Sequence, residues 1–351
     1  MRLGSGIGLV VFIASLIILW KIREIILLMF TAVVFATAIN QLVKQLQRLH
    51  IRRGLAIVLS MGGLLILLAG LLIVIIPPFI DQFEQLIDTI PIGIERLESW
   101  SLWLQDIIPE QVLEEIRDTG EIIQRVQVIA SRLIDNFFSL FSSSLSIILK
   151  LLLVLVLIIM LLANPKPYRQ GFVLLFPSFY RRRIDEILQK CEVALGGWVR
   201  GILFNMTVIT LMSGIGLWVL QVPLPFVNAI LAGILTFIPN LGPTLSVIPP
   251  VALALLDTPW KAGAVVILYI LIQQLESNIL TPIVMERQVS LLPAVTLISQ
   301  LIFASFFGFL GLFLALPIVV VAQVWLKEVL IEDVMNHWQR PKSNHREKIV
   351  Q

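Results

Sequence analysis

Eight apolar runs divide the chain, at residues 4–20, 25–39, 54–76, 145–163, 202–220, 226–256, 262–285 and 288–326. A bilayer core of about 30 Å needs about 20 helical residues, so most of these runs are long enough to cross. None alternates as a barrel strand does, and backbone groups in lipid must pair within their own segment, so helices are predicted throughout. The first two runs are short and joined by Lys21-Ile22-Arg23-Glu24. Either they form a tight helical hairpin or one of them crosses incompletely. The first run is apolar after Arg2, lacks a clear small-residue cleavage site and leads straight into the second. It reads as an uncleaved span rather than a signal peptide. The pattern predicts an all-α polytopic membrane bundle of about eight segments.

Two runs are longer than a straight crossing needs, and both are interrupted. Phe226–Leu256 has no charged residue but carries Pro239, Pro243, Pro249 and Pro250. Gln288–Leu326 has no charged residue but carries Gly308, Gly311 and Pro317. Broken helices at membrane depth are where transporters commonly hold substrates and ions, which directs attention to the C-terminal half. In Pro239-Asn240-Leu241-Gly242-Pro243 each proline removes a backbone donor and clashes with the carbonyl four residues back, so no unbroken helix accommodates the run. The freed carbonyls need neighbours, water or a ligand, and Asn240 adds a side-chain donor and acceptor. A plain kink and an unwound stretch lining a solute path both fit. Gly308, Gly311 and Pro317 suit close helix packing and a hinge equally.

The stretch 81–144 has a different pattern. Phe83, Leu86, Ile87, Ile90, Ile94 and Leu97, then Val112, Leu113 and Ile116, recur at helical spacing, with Pro91 and Pro109 as punctuation. Such spacing predicts amphipathic helices. Twelve acidic residues against four basic ones leave a net charge of −8. The flanking loops are basic: Lys44, Arg48, Arg52 and Arg53 on one side, Arg181-Arg182-Arg183 and their neighbours on the other. Basic loops stay in the cytoplasm, which places both termini there and the acidic stretch outside. Four regions follow: N-terminal membrane segments at 1–80, an extracytoplasmic helical region at 81–144, a transport core at 145–327 and a cytoplasmic tail at 328–351. The external region reads as a small helical cap or as a gate or receptor surface.

Composition agrees. The chain is 58% hydrophobic and only 14% charged, against about 25% charged in soluble domains. A net charge of +3 is too small to imply nucleic acid. Cys191 stands alone and His50, His337 and His345 lie far apart, so neither an intramolecular disulfide nor a metal cluster is expected. No cofactor is expected either. There is no Walker A loop, Gly-x-Ser-x-Gly, His-Glu-x-x-His or dinucleotide fingerprint. The chain therefore reads as no enzyme, and energy must come from a gradient, a partner or the substrate's own concentration difference.

The sharpest chemistry lies in Gln273-Gln274-Leu275-Glu276-Ser277-Asn278, ahead of Thr281 and Pro282. A carboxylate in a bilayer core costs at least a few kcal/mol. On a helix Gln273 and Glu276 share one face and Gln274 and Asn278 the next. This stripe is expected to face the bundle interior, either as an interhelical hydrogen-bond cluster or as a substrate or cation site.

At these residues the chain resembles the autoinducer-2 exporter (AI-2E) family of bacterial permeases. The likeness rests on Ile238-Pro239-Asn240-Leu241-Gly242-Pro243, Ile248-Pro249, Gln274-Leu275-Glu276 with Pro282, Leu292-Pro293, Gly308-x-x-Gly311 and Ala315-Leu316-Pro317. Weaker matches are Arg53-Gly54-Leu55-Ala56 and Pro77-Pro78. At Leu292 the family often has a histidine, so a proton or substrate step that used it is absent here. The resemblance implies about eight membrane segments, the bacterial inner membrane, and a homo-oligomer with a pentamer as the candidate assembly. It implies export of a furanone signal in some members and sodium– or lithium–proton antiport in others.

Three functions follow. The first is a gradient-driven permease for a small polar solute, autoinducer-2-like by resemblance. Asn240, Gln273, Gln274, Glu276 and Asn278 would contact the solute, and Pro239, Gly242, Pro243, Pro282, Gly308, Gly311 and Pro317 would break or hinge the helices. The second is a monovalent cation–proton antiporter using Glu276. The third is a non-transporting membrane scaffold with a partner on its external helices. Expected partners are the small molecule or ion carried, membrane lipid and further copies of the chain, with no nucleic acid.

Overall fold

A computed structural model describes residues 10, 13–15, 17–74, 77–78, 144–239, 241–280 and 293–336. Asn240, Pro282, the acidic region up to residue 143 and the tail beyond residue 336 lie outside the described residues. Every regular element among them is helical. The helices are α1 (Arg23–Arg48), α2 (Arg53–Val74), α3 (Ser144–Ala163), α4 (Pro165–Leu174) and α5 (Arg181–Val219). They continue with α6 (Pro225–Leu235), α7 (Leu241–Ser246), α8 (Ile248–Asp257), α9 (Pro259–Leu275) and α10 (Pro293–Trp325). Wider π-type turns extend α9 over Glu276–Leu280 and α10 over Leu326–Met335.

Among the described residues five helices are long and apolar enough to cross a membrane, or six if the bent pair α3–α4 counts as one span. This is a polytopic helical membrane protein, as the apolar pattern predicts. The count falls below eight for two reasons. Run 4–20 lies partly outside the described residues, and run 226–256 divides into helices of 11, 6 and 10 residues. At about 1.5 Å per residue none of these three reaches across about 30 Å.

Local sequence explains the breaks. α1 buries Leu27, Leu28, Thr31, Ala32, Ile39 and Val43 along one side and stops where His50 takes a left-handed conformation, φ 64°. The His50 amide then donates to the Gln47 carbonyl (3.0 Å) and the Ile51 amide to the Leu46 carbonyl (3.4 Å), the pairing that closes a helix C-terminus. Gln221, φ 54°, ends α5 in the same way. Between α3 and α4, Pro165 cannot donate to the preceding turn and Asn164 is held extended (φ −145°, ψ 81°). The axis turns by 94° there. With α3 crossing the bilayer, α4 lies along its surface, where Lys166, Tyr168 and Phe172 are exposed.

Both interrupted runs double back. A Cβ on Gly242 would lie 1.9 Å from the Leu235 carbonyl oxygen, so the start of α7 presses directly on the end of α6. Gly308 sits at φ 61°, ψ −145° inside α10, outside any helical conformation. A Cβ on Gly311 would lie 2.1 Å from the Phe303 carbonyl oxygen. Eight residues of straight helix would separate those positions by about 12 Å, so the chain folds back at Gly308. By length Ala294–Met335 passes as one span, but the glycine divides it. Pro317 lies buried in the second arm.

The chain forms two compact units. One comprises Met1–Val58, Val154–Gly201 and Ile283–Gln351; the other comprises Leu59–Leu153 and Ile202–Pro282. In the first, Ile184, Ile187 and Cys191 of α5 pack on Val324 of α10. Arg183 clamps this contact through Glu328 (2.9 Å) and Asp333 (3.0 Å), and Lys190 also donates to Glu328. The Tyr180 hydroxyl donates to Asp333 at 2.6 Å. Burial, then the Asp333 carboxylate, push the Tyr180 phenol above its usual range, so it remains a donor at physiological pH. In the second unit Ile209 and Leu217 of α5 pack with Val265, Tyr269 and Ile272 of α9.

Candidate functional site

α5 has 39 residues, about 58 Å of helix and nearly twice the bilayer core. Its charges end at Arg200, and residues 201–219 have none. That uncharged half packs against α9. Gly216 permits the close approach, since a Cβ there would lie 2.5 Å from the Leu268 methyl carbons.

Two polar rungs cross this otherwise apolar seam. In the first, Asn205 of α5 meets Glu276, the residue at which α9 widens into its π-type turn. Glu276 is only 5% exposed, and the Asn205 Nδ2 donates to its Oε1 at 2.8 Å. The Glu276 Oε2 and the Asn205 Oδ1 are buried with no hydrogen-bond partner among the described residues. In the second rung, two helical turns away on α9, the Tyr269 hydroxyl lies near the Ser213 hydroxyl of α5. Both are buried, and neither meets a hydrogen-bond partner of good distance and angle among the described residues. An orphaned buried polar group costs about 1–3 kcal/mol, more if charged. Four such atoms share one seam. π-type turns are frequent at functional sites, and an ionisable residue inside a span reads first as functional.

The structure separates the residues singled out in the sequence. The six-residue polar stretch does not turn inward as one stripe. Glu276 is buried and Gln273 half-buried, while Gln274, Ser277 and Asn278 are exposed. The Gln273 amide donates to Ser277 (3.4 Å) and the Asn278 amide to Gln274 (3.2 Å), so these groups pair along their own helix. Pro239 stands in the turn after α6, Gly242 and Pro243 are buried at the start of α7, and Asn240 lies outside the described residues. Asn205, Ser213 and Tyr269 escaped the sequence reading. Their signal was present, since polar positions 205 and 213 lie two helical turns apart in an uncharged run. Nothing local tells such a pair from the two threonines between them. Among the described residues no three His, Cys, Asp or Glu side chains converge as a metal site.

Residues 9–331 match the sequence profile described as AI-2E family transporter. The chain belongs to the AI-2E family. The AI-2 transport protein TqsA of Escherichia coli (strain K12) is 26% identical over 340 residues, covering 92% of this chain and 93% of that one. The putative transport protein YhhT of the same strain is 25% identical over 340 residues, covering 92% and 91%. The putative transport protein YrrI of Bacillus subtilis (strain 168) is 28% identical over 171 residues. That alignment spans 49% of this chain and only 46% of YrrI. This AI-2E family transporter is a multi-pass membrane protein of a bacterial transporter family.

Proposed function

We propose that this AI-2E family member is a gradient-driven permease for a small, neutral, polyhydroxylated solute of the autoinducer-2 type. The observation that carries the reading is the α5–α9 seam, where Glu276 and Asn205 pair through one atom each and leave one oxygen each without a partner among the described residues. The Ser213 and Tyr269 hydroxyls add two further groups that donate or accept. Such a set matches hydroxyls and ring oxygens better than it matches a formal charge. The name of TqsA, an AI-2 transport protein, points the same way. Gln273 and Asn240 complete the proposed polar set, while Gln274 and Asn278, on the exposed flank, contribute least. The hairpin bends at Pro239–Pro243 and at Gly308–Gly311, with Pro282 and Pro317, supply the hinges. In this reading the protein sits in the bacterial inner membrane with both termini cytoplasmic, residues 81–144 outside, and assembles as a homo-oligomer, a pentamer being the family's candidate.

The test is flux of labelled autoinducer-2 through proteoliposomes. Loss of one charge-assisted contact at about 1.4 kcal/mol lowers flux about tenfold, which is the expected effect of Asn205→Ala and of Glu276→Gln. Unchanged flux in both variants refutes the reading. Monovalent cation–proton antiport is the second reading, favoured by the same two free oxygens, Glu276 Oε2 and Asn205 Oδ1, as hard ligands. It predicts a sodium-dependent pH change in the vesicle lumen that Glu276→Gln abolishes.

A further inference from the structure

The first compact unit holds a cleft of about 300 Å³ between α1 and α5. That volume stands at the small end of ligand pockets and equals about ten water volumes at about 30 Å³ each. It is built by two matching stripes. On α1, Thr37, Asn40, Gln41 and Lys44 line it, at the three- and four-residue spacing that places them on one face. On α5, Glu192, Gly196 and Arg200 face them at four-residue intervals.

Some of these groups are spent on the cleft itself. Gln41 Nε2 donates to the Gly196 carbonyl at 2.8 Å and ties the two helices together. Lys44 and Glu192 stand 3.7 Å apart, both about half exposed. A pair that long and that exposed gives little stabilisation, so the Lys44 ammonium is readily recruited elsewhere. At Gly196 the wall of the cleft is bare backbone; a Cβ there would make only ordinary contacts, with the Gln41 amide nitrogen at 3.5 Å and a Thr37 methyl at 3.9 Å. The Asn40 carboxamide and the Arg200 guanidinium make no hydrogen bond or ion pair with any described residue. The lining charge is two cations against one carboxylate.

We propose that this cleft binds a phosphate group, carried either by a free small molecule or by a lipid headgroup. A guanidinium fork engages two phosphate oxygens at once. The Lys44 ammonium and the Asn40 amide supply donors from the other stripe, which suits an anion with several oxygens. The stripe lies where the apolar part of α1 gives way to Lys44 and Arg48, the depth at which both kinds of phosphate are available. The inference is independent of the Glu276 seam.

Full-length protein in detergent, titrated with inorganic phosphate against chloride at equal ionic strength, tests the free form. Nanodiscs of phosphatidylglycerol against phosphatidylcholine test the lipid form, read by co-purified lipid. The expected result is a saturable rise in unfolding temperature with phosphate, or selective retention of phosphatidylglycerol. Arg200→Gln is expected to weaken either effect at least tenfold, and Gly196→Leu, which fills the cleft, to remove it. Arg200 is exposed, so its variant folds even if the leucine does not. A phosphate effect alone assigns a soluble ligand, and a lipid effect alone assigns a headgroup. Phosphate no better than chloride together with no lipid preference overturns the proposal, as does an Arg200→Gln variant that binds like the unmodified protein.

Discussion

Replacing Gly242 by alanine tests the first hairpin bend directly. The new Cβ would lie 1.9 Å from the Leu235 carbonyl oxygen, 2.3 Å from its carbon and 2.8 Å from the Thr236 nitrogen. All three are backbone atoms, so no rotamer change relieves the clash. Ordinary contact begins near 3.4 Å, so the arms must separate by about 1.5 Å. Overpacking a tight contact costs about 1–3 kcal/mol, and a rigid backbone obstacle belongs at the upper end. At about 2–4 °C per kcal/mol the unfolding midpoint in detergent falls by about 6–12 °C, and flux falls with it if the hinge proposal holds. Gly263 is the matched control. A Cβ there meets nothing within 4 Å, so Gly263→Ala removes only the glycine penalty of about 0.5–1 kcal/mol and leaves stability equal or slightly higher. If Gly242→Ala and Gly263→Ala unfold at the same temperature, α6 and α7 are not in backbone contact and the bend is wrongly described.

Other variants probe the seam and the clamp. Asn205→Leu leaves the buried Glu276 carboxyl without its donor and is expected to cost about 1–3 kcal/mol. Adding Glu276→Leu recovers stability without recovering flux, because two apolar partners leave nothing unsatisfied; equal stability of single and double variants would contradict this. Arg183→Ala strips the buried Glu328 and the half-buried Asp333 of their guanidinium partner, leaving Lys190 on the first and the Tyr180 hydroxyl on the second. The expected loss is about 2–3 kcal/mol, with a clearly smaller loss when Glu328→Gln is already present, measurable by a double-mutant cycle. Tyr180→Phe removes a 2.6 Å bond to Asp333 and is expected to cost about 1 kcal/mol at neutral pH. The phenol is raised above its ordinary 10.0, so its contribution is whole below pH 10 and is lost as pH climbs through the folded value. The unmodified protein should therefore approach the phenylalanine variant in stability above that pH, and a constant gap would count against the assignment.

Proline and glycine act within a few residues, so their breaks were legible in sequence. The reversal after α6 and the kink at Gly308 fall where Pro239–Pro243 and Gly308–Gly311 stand. The inward turn of Glu276 was legible from the cost of burying a carboxylate in lipid. Its partner was not, because Asn205 lies 71 residues away and only the pairing of α5 with α9 brings the two together. The exposure of Gln274 and Asn278 was not legible for a related reason. Polarity alone does not say which flank of a helix is packed, and short amide pairs along one helix satisfy themselves without neighbours.

The right-angled elbow at Asn164–Pro165 also bears on how the molecule answers its lipid surroundings. α3 has 20 residues, about 30 Å of helix, which equals the hydrocarbon depth. With α4 laid flat at its end, this rod has a foot that resists being drawn inward or pushed outward. A thinner or thicker bilayer therefore cannot be met by letting α3 slip along the normal. Tilt or local deformation of the lipid must take up the difference.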